Sequence, residues 1–299
     1  MGTTAGWLKK ASVDLNKPKE SIIDALKKNT GKFETGRSRT TLHASDITKP
    51  DFCPRNEAFL DMQGVTHGKG QFIPPALRVT FDMGSATERM IVERWGGDAV
   101  YGNWRCSKCK ECRTFCTKPA INCKSDHICD WKYQQWAAIS QEYAVSGAVD
   151  SLWSLGTPKL MMAEIKTMAP SEFELIVGPL PEHRLRTNLY LKLIADSASP
   201  YKDKINLHEA RVLYTSRAYG KKNDQHGGEI LPWREFIVKR DDKALEPILN
   251  KAKQLKIFRE TKAIPSGICP TAMSKTAQKC SNCQLCFSGQ FPAQQPSLL

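Results

Sequence analysis

The chain has 299 residues, enough for one large domain or two smaller ones around a sizeable core. Lys and Arg outnumber Asp and Glu by 44 to 31, a formal charge of +13 and a pI near 9.2, which favours a polyanionic partner such as nucleic acid or an anionic membrane surface. There is no run of about 18 apolar residues, and MGTTAGWLKKASVDLNKPKE lacks the apolar core of a signal peptide, so we expect no membrane partner and a cytoplasmic location.

Gly6 stands where the myristoylation pattern wants Ser or Thr, which argues against a lipid anchor. Eleven cysteines in a reducing compartment point to metal rather than disulfides. Six lie between Cys106 and Cys129, four between Cys269 and Cys286, and Cys53 stands alone.

Residues 1–40 form a basic arm with one amphipathic stretch, SIIDALKK. A helical first part, 41–103, begins with a turn and short helix in HASDITKP and a second helix opened by Cys53-Pro54, because Pro suits a first turn. FDMGSATERMIVERWG follows as a helix, with Met83, Thr87, Met90, Ile91 and Arg94 at helical spacing. Residues 104–132 carry much cysteine and little apolar periodicity, and are expected as a small metal-held insertion outside the main core.

The span 133–262 reads as the core. QEYAVSGAVDSLWSL alternates as one strand, GTP turns, and KLMMAEIKTM returns as the second strand of a hairpin. PEHRLRTNLYLKLIADS is a helix, HEARVLYTSRAY and WREFIVKRD are strands around the polar loop GKKNDQHGG, and a basic helix capped by Asp241 or Asp242 follows. Residues 263–299 hold the second cysteine cluster and a Pro/Gln/Ser tail expected to be disordered, and no internal repeat is present.

Glu164 and Lys166 are two apart on a strand, so they share a face, and Asp150 lies one hairpin earlier. Spacing alone also allows a surface ion pair on an edge strand. The flanking Leu160, Met161, Met162, Ile165 and Met168 argue for a buried strand, in which charges need a partner or a metal. Two carboxylates suit a hard divalent ion that activates water, and a lysine suits charge building on phosphorus, so phosphodiester hydrolysis uses all three.

GAVD, a hairpin and then AEIKT resemble the catalytic signature of the P-D-(D/E)-x-K nuclease superfamily, in its RecB-like branch with the CRISPR-associated exonucleases. GSATE supplies that family's upstream helical acid as Glu88 after Gly84, and RTNLY places Tyr190 at the Tyr of its Q-x-x-x-Y helix, with Arg186 in place of the Gln. The resemblance implies a restriction-endonuclease-like α/β core, a mixed sheet flanked by helices. It implies Mg or Mn held by Glu88, Asp150, Glu164 and the Ile165 carbonyl, Lys166 serving the attacking water, and Arg186 on phosphate.

In the iron-sulfur members of that branch a Cys-Pro-Arg joins three C-terminal cysteines around a [4Fe-4S] cluster. Cys53-Pro54-Arg55 with Cys280, Cys283 and Cys286 resembles this, with Arg55 as a DNA contact; Cys269 is an alternative ligand, and could instead close a zinc knuckle with the last three. Cys106, Cys109, Cys112 and Cys116 have ferredoxin-like spacing, but zinc is the plainer expectation: Cys106 and Cys109 with Cys123 and Cys129, and His127, Cys112 and Cys116 as alternatives. Lys108, Lys110, Arg113, Lys118, Lys124 and Trp104 would then offer charge and a stacking face to DNA, or the module is only a staple.

His43, His67, His183, His208 and His226 lack ligand spacing, and His183 is expected on the surface. Together these features predict a metal-dependent DNA nuclease, phage- or plasmid-borne, acting in recombination, repair or replication in the (host) cytoplasm. The partners expected are DNA and a recombinase, single-strand-binding protein, helicase or second copy. The rivals are a nuclease fold kept only for DNA binding, and a regulatory protein worked by its metal clusters.

Overall fold

The computed structural model describes residues 41–65, 72–119, 128–217 and 231–288, with short pieces at 23–24, 26–27 and 32–33. Most of residues 1–40, and residues 66–71, 120–127, 218–230 and 289–299, lie outside the described residues. The fold is mixed α/β: a mixed β-sheet flanked by helices.

In chain order, a two-residue strand β1 (Lys32–Phe33) pairs with β3 (Phe72–Ile73) as a small ribbon. Between them lie β2 (Leu42–His43), α1 (Ala44–Ile47) and α2 (Pro54–Met62). Cys53 is extended and Pro54 opens α2, as expected of a proline that gives up no hydrogen bond in a first turn. The helix α3 (Pro75–Met90) starts well before the expected Phe81, because Pro74-Pro75 sets its first turn, and it ends in a π-helical turn at Ile91–Trp95. Met83 is exposed while Thr87 and Ile91 are buried, so only the C-terminal half of the expected stripe meets the core.

The strands β4 (Val100–Cys106), β5 (Cys112–Thr117) and β6 (Trp131–Gln134) correct the insertion expected at 104–132. They belong to a seven-stranded sheet of order β12-β11-β10-β9-β4-β5, with β6 also on β4. Trp104 is fully buried there with Ile91, Val100 and Ile165, so it offers no stacking face to DNA. Its burial was hidden because β4 has the alternation of a half-buried strand in a stretch dominated by cysteine and lysine.

A three-stranded sheet, β2-β8-β7, contains β7 (Trp136–Ser140) and β8 (Val145–Val149). The single strand expected from QEYAVSGAVDSLWSL is in fact two. Val149 ends β8 in the small sheet, Ser151 begins β9 (Ser151–Trp153) in the large one, and Asp150 alone joins them. Then β10 (Met161–Met168) pairs with β9 only from Met161 to Ala163, and runs parallel to β11 (Glu209–Ser216) from Ala163 onward; β12 (Trp233–Lys239) closes that edge. A cleft opens where β9 leaves β10, between Ala163 and Glu164. Being interior, β10 excludes the edge-strand surface pair.

After α4 (Pro170–Leu175), α5 (Pro181–Asp196) carries a continuous buried run from Thr187 to Leu191, plus Leu193 and Ile194, and packs against strands of both sheets. Alternate residues of β10 serve the two faces: Met162 joins the α5 core, whereas Ile165 joins the Trp104 cluster. The long helix α6 (Asp242–Thr261) is capped by Asp241, whose Oδ1 accepts from Ala244 N at 3.1 Å. Two short helices, α7 (Lys275–Gln278) and α8 (Cys283–Ser288), end the described chain. Among the described residues no helix is long and apolar enough to cross a membrane.

Candidate active site

Asp150 and Glu164 face each other across the split between the sheets, in a cavity of about 240 Å³ that Lys166, Arg186, Tyr190, His43, Ser45 and Gly147 also line. Asp150 takes over the ladder that β9 abandons: its Oδ2 accepts from Ile165 N at 2.9 Å. This bond orients the carboxylate with main-chain rigidity. Lys166 Nζ lies 2.6 Å from Glu164 Oε1 and 3.7 Å from Asp150 Oδ2, and is 3.2 Å from the Ile165 carbonyl oxygen.

Glu164 is 1% exposed; its Oε1 meets Lys166 Nζ at 2.6 Å and Arg186 NH1 at 3.7 Å, whereas its Oε2 is buried with no donor. A buried carboxylate with open lone pairs is costly unless a cation supplies what hydrogen bonds do not. Burial first, then the charge of Asp150, pushes the Glu164 carboxyl up to about 7, with Lys166 and Arg186 opposing. Burial alone would lower Lys166, but the facing carboxylates of Glu164 and Asp150 outweigh it and raise the ammonium above its usual value.

Glu88 reaches the same region from α3, which crosses β10 closely at Gly84: a Cβ there would lie 3.4 Å from Thr167 Oγ1. Burial and the Asp150 charge push Glu88 up to about 7, against the hydrogen bond from Gln135. Gln135 had no signal in the sequence. Its Nε2 donates to Glu88 Oε1 at 2.8 Å and to Asp150 Oδ1 at 3.2 Å, joining the helical acid to the hairpin acid.

Tyr190 is buried on α5 against Gly147, where a Cβ would come within 2.4 Å of its Cε1. Burial, then Glu164 and Asp150, raises its hydroxyl well above the ordinary tyrosine range. His183, expected on the surface, is half-buried in the first turn of α5. Tyr214 Oη accepts from Leu180 N at 2.9 Å and shares a second hydrogen bond of 2.9 Å with His183 Nδ1. Burial, with Lys166 and Arg186, pushes His183 down to about 4, and the imidazole is neutral near pH 7.

No family model matches the chain, and no curated protein matches it. Among solved structures, the crystal structure of SSO0001 is similar over 74% of this chain and 78% of that chain, at 13% identity and a TM-score of 0.35. At that score the likeness assigns neither a fold family nor an activity.

The remaining expected residues fall into two cysteine regions. Cys53, Cys269, Cys280, Cys283 and Cys286 line one cavity of about 390 Å³, all as free thiols. Burial, with the neighbouring Cys53, Cys269 and Cys283, raises the Cys280 thiol, which donates to Asn56 Oδ1 at 3.2 Å. Arg55 turns toward this cavity: Nε donates to Pro265 O at 2.8 Å, and NH1 lies 3.5 Å from Cys286 Sγ. That placement ties α2 to the C-terminal segment.

In the other region, Cys106 and Cys109 sit on the turn between β4 and β5, where Lys110 N donates to Cys106 O at 3.0 Å. The β4–β5 register pairs Cys112 with Arg105 and Cys116 with Gly102. Cys112 therefore lies on the face away from Cys106, and Cys116 lies roughly 13 Å along the strand from it. The ferredoxin-like spacing does not make one four-thiol set, and Cys112 and Cys116 are not alternatives for the Cys106 end. Cys129 packs on the same cluster and is disulfide-bonded, so it would serve zinc only once reduced; Cys123, Lys124 and His127 lie outside the described residues. Among the described residues no three His, Cys, Asp or Glu side chains are already drawn together as metal ligands.

Proposed function

We propose that the chain is a divalent-metal-dependent DNA nuclease with a restriction-endonuclease-like core of the RecB-like kind. The observation that carries this is the buried Glu164 carboxylate, with Lys166 on Oε1 and no donor on Oε2, beside Asp150 at the point where the hairpin splits. Hard carboxylate and carbonyl oxygens fit Mg or Mn. Asp150 and Glu164 would hold the ion, with Glu88 and the Ile165 carbonyl completing the oxygen set. When bound, it polarises a phosphate oxygen and lowers the pKa of a water nucleophile.

The protein's own groups do the rest. Lys166, kept protonated by its two carboxylates, donates to the attacking water or to the phosphoryl oxygen gaining charge as the new P–O bond forms and the old one breaks. Arg186, between Glu164 and the open cavity, offers its fork to a neighbouring phosphate. Tyr190, wedged on Gly147, keeps α5 seated so that Arg186 stays over the cleft.

The thiol cavity fits a [4Fe-4S] cluster by its donor set, with Cys53, Cys280, Cys283 and Cys286 as ligands and Cys269 as the alternative. Zinc on Cys106 and Cys109 with Cys123 and Cys129 is proposed for the reduced protein. The excess positive charge supports DNA as the partner. A divalent-ion titration of DNA digestion tests the reading. No cutting in EDTA, with full cutting restored by Mg or Mn, is expected. DNA binding with no turnover at any metal concentration would replace the enzyme with a binding module.

A further inference from the structure

We propose that Gln135 is a positioning residue that locks Glu88 and Asp150 into one ligand pair by giving an amide N–H to each carboxylate. The inference rests on the nuclease reading, and names a residue that nothing in the motif pattern marks. Trp136 and Val149 are partners in the antiparallel β7–β8 register, so the next pair outward is Gln135 and Asp150. Each is the lone residue at which its chain passes from one sheet to the other, Gln135 between β6 and β7 and Asp150 between β8 and β9. The two strands leave the small sheet together, and these side chains face each other where the gap opens.

The two acids are held very differently. Asp150 is fixed by Ile165 N. Glu88 comes from α3, in which Thr87 is the buried residue, so the helix lends its acid little rigidity. One nitrogen, Gln135 Nε2, spans both, at 2.8 Å from Glu88 Oε1 and 3.2 Å from Asp150 Oδ1. A neutral amide is the chemistry such a post requires: it offsets carboxylate repulsion without the full positive charge that would compete with a divalent ion. Gln135 also borders the adjoining cavity of about 230 Å³ with Ser85, Glu88, Arg89 and Tyr133, so the bridge is the wall between the two openings.

The test is Gln135→Ala on the full chain, with Mn2+ alone as probe in calorimetric titration, followed by digestion of DNA at rising Mn2+. Gln135 is exposed, so its melting temperature should match the wild type. Loss of a group that orients a ligand weakens metal binding by about tenfold or more. Mn2+ affinity should fall by about tenfold, and saturating Mn2+ should restore most of the rate, which a general loss of structure would not allow. Unchanged Mn2+ affinity, or a lost rate that Mn2+ does not restore, overturns the role of Gln135 while the nuclease reading stands. A wild-type protein that binds no Mn2+ overturns both.

Discussion

Glu164 concentrates the electrostatics of the cleft in one side chain. Its carboxyl, like that of Glu88, is pushed up to about 7, chiefly by burial. A carboxyl whose pKa is higher folded than unfolded binds more protons in the native state between the two values, so stability falls as pH rises through that window. The metal-free protein should thus lose stability from about pH 4.5 to 7, and Glu164→Gln should flatten that slope in pH-dependent melting. A slope unchanged by the substitution would mean that Glu164 is not the strained group. Gly147→Ala should cost about 1–3 kcal/mol in denaturant unfolding, because its Cβ would fall 2.4 Å from the Tyr190 ring and α5 has little room to shift.

At the scale of elements, the site exists because two strands change sheets. That step was not legible: SGAVDSLWSL keeps an apolar alternation straight through Asp150, with no Gly or Pro at the break. The acids and lysine were legible, since charges inside an apolar strand conflict with burial, and such conflicts gather at functional sites. Gln135 and His183 were not, because a neutral amide and an imidazole acquire meaning only from what the fold sets opposite them. Helix starts followed local rules well: Pro54 and Asp241 open α2 and α6. Asp241→Ala should destabilise the protein by about 1 kcal/mol by removing the cap on Ala244 N, read as a lower denaturant midpoint.

At the scale of the whole molecule, polar contacts help to join α2 to the C-terminal segment. Gln63 donates to Asn282, Asn282 to Asn56, and Arg55 to Pro265 O, all around the five thiols. Arg55→Ala leaves the Pro265 carbonyl short of a donor, and should cost about 1–3 kcal/mol and raise proteolysis beyond residue 262, with Mg-dependent cutting retained. With a net charge of +13, DNA affinity should fall steeply and linearly in log salt. The central claim, however, is hydrolysis at the split hairpin. Its most direct measurement is the initial rate of Mg-dependent DNA cleavage by Lys166→Ala, with folding checked by circular dichroism. The account predicts a folded protein whose rate falls at least about a hundredfold; a folded Lys166→Ala protein that cuts DNA at the wild-type rate would contradict it.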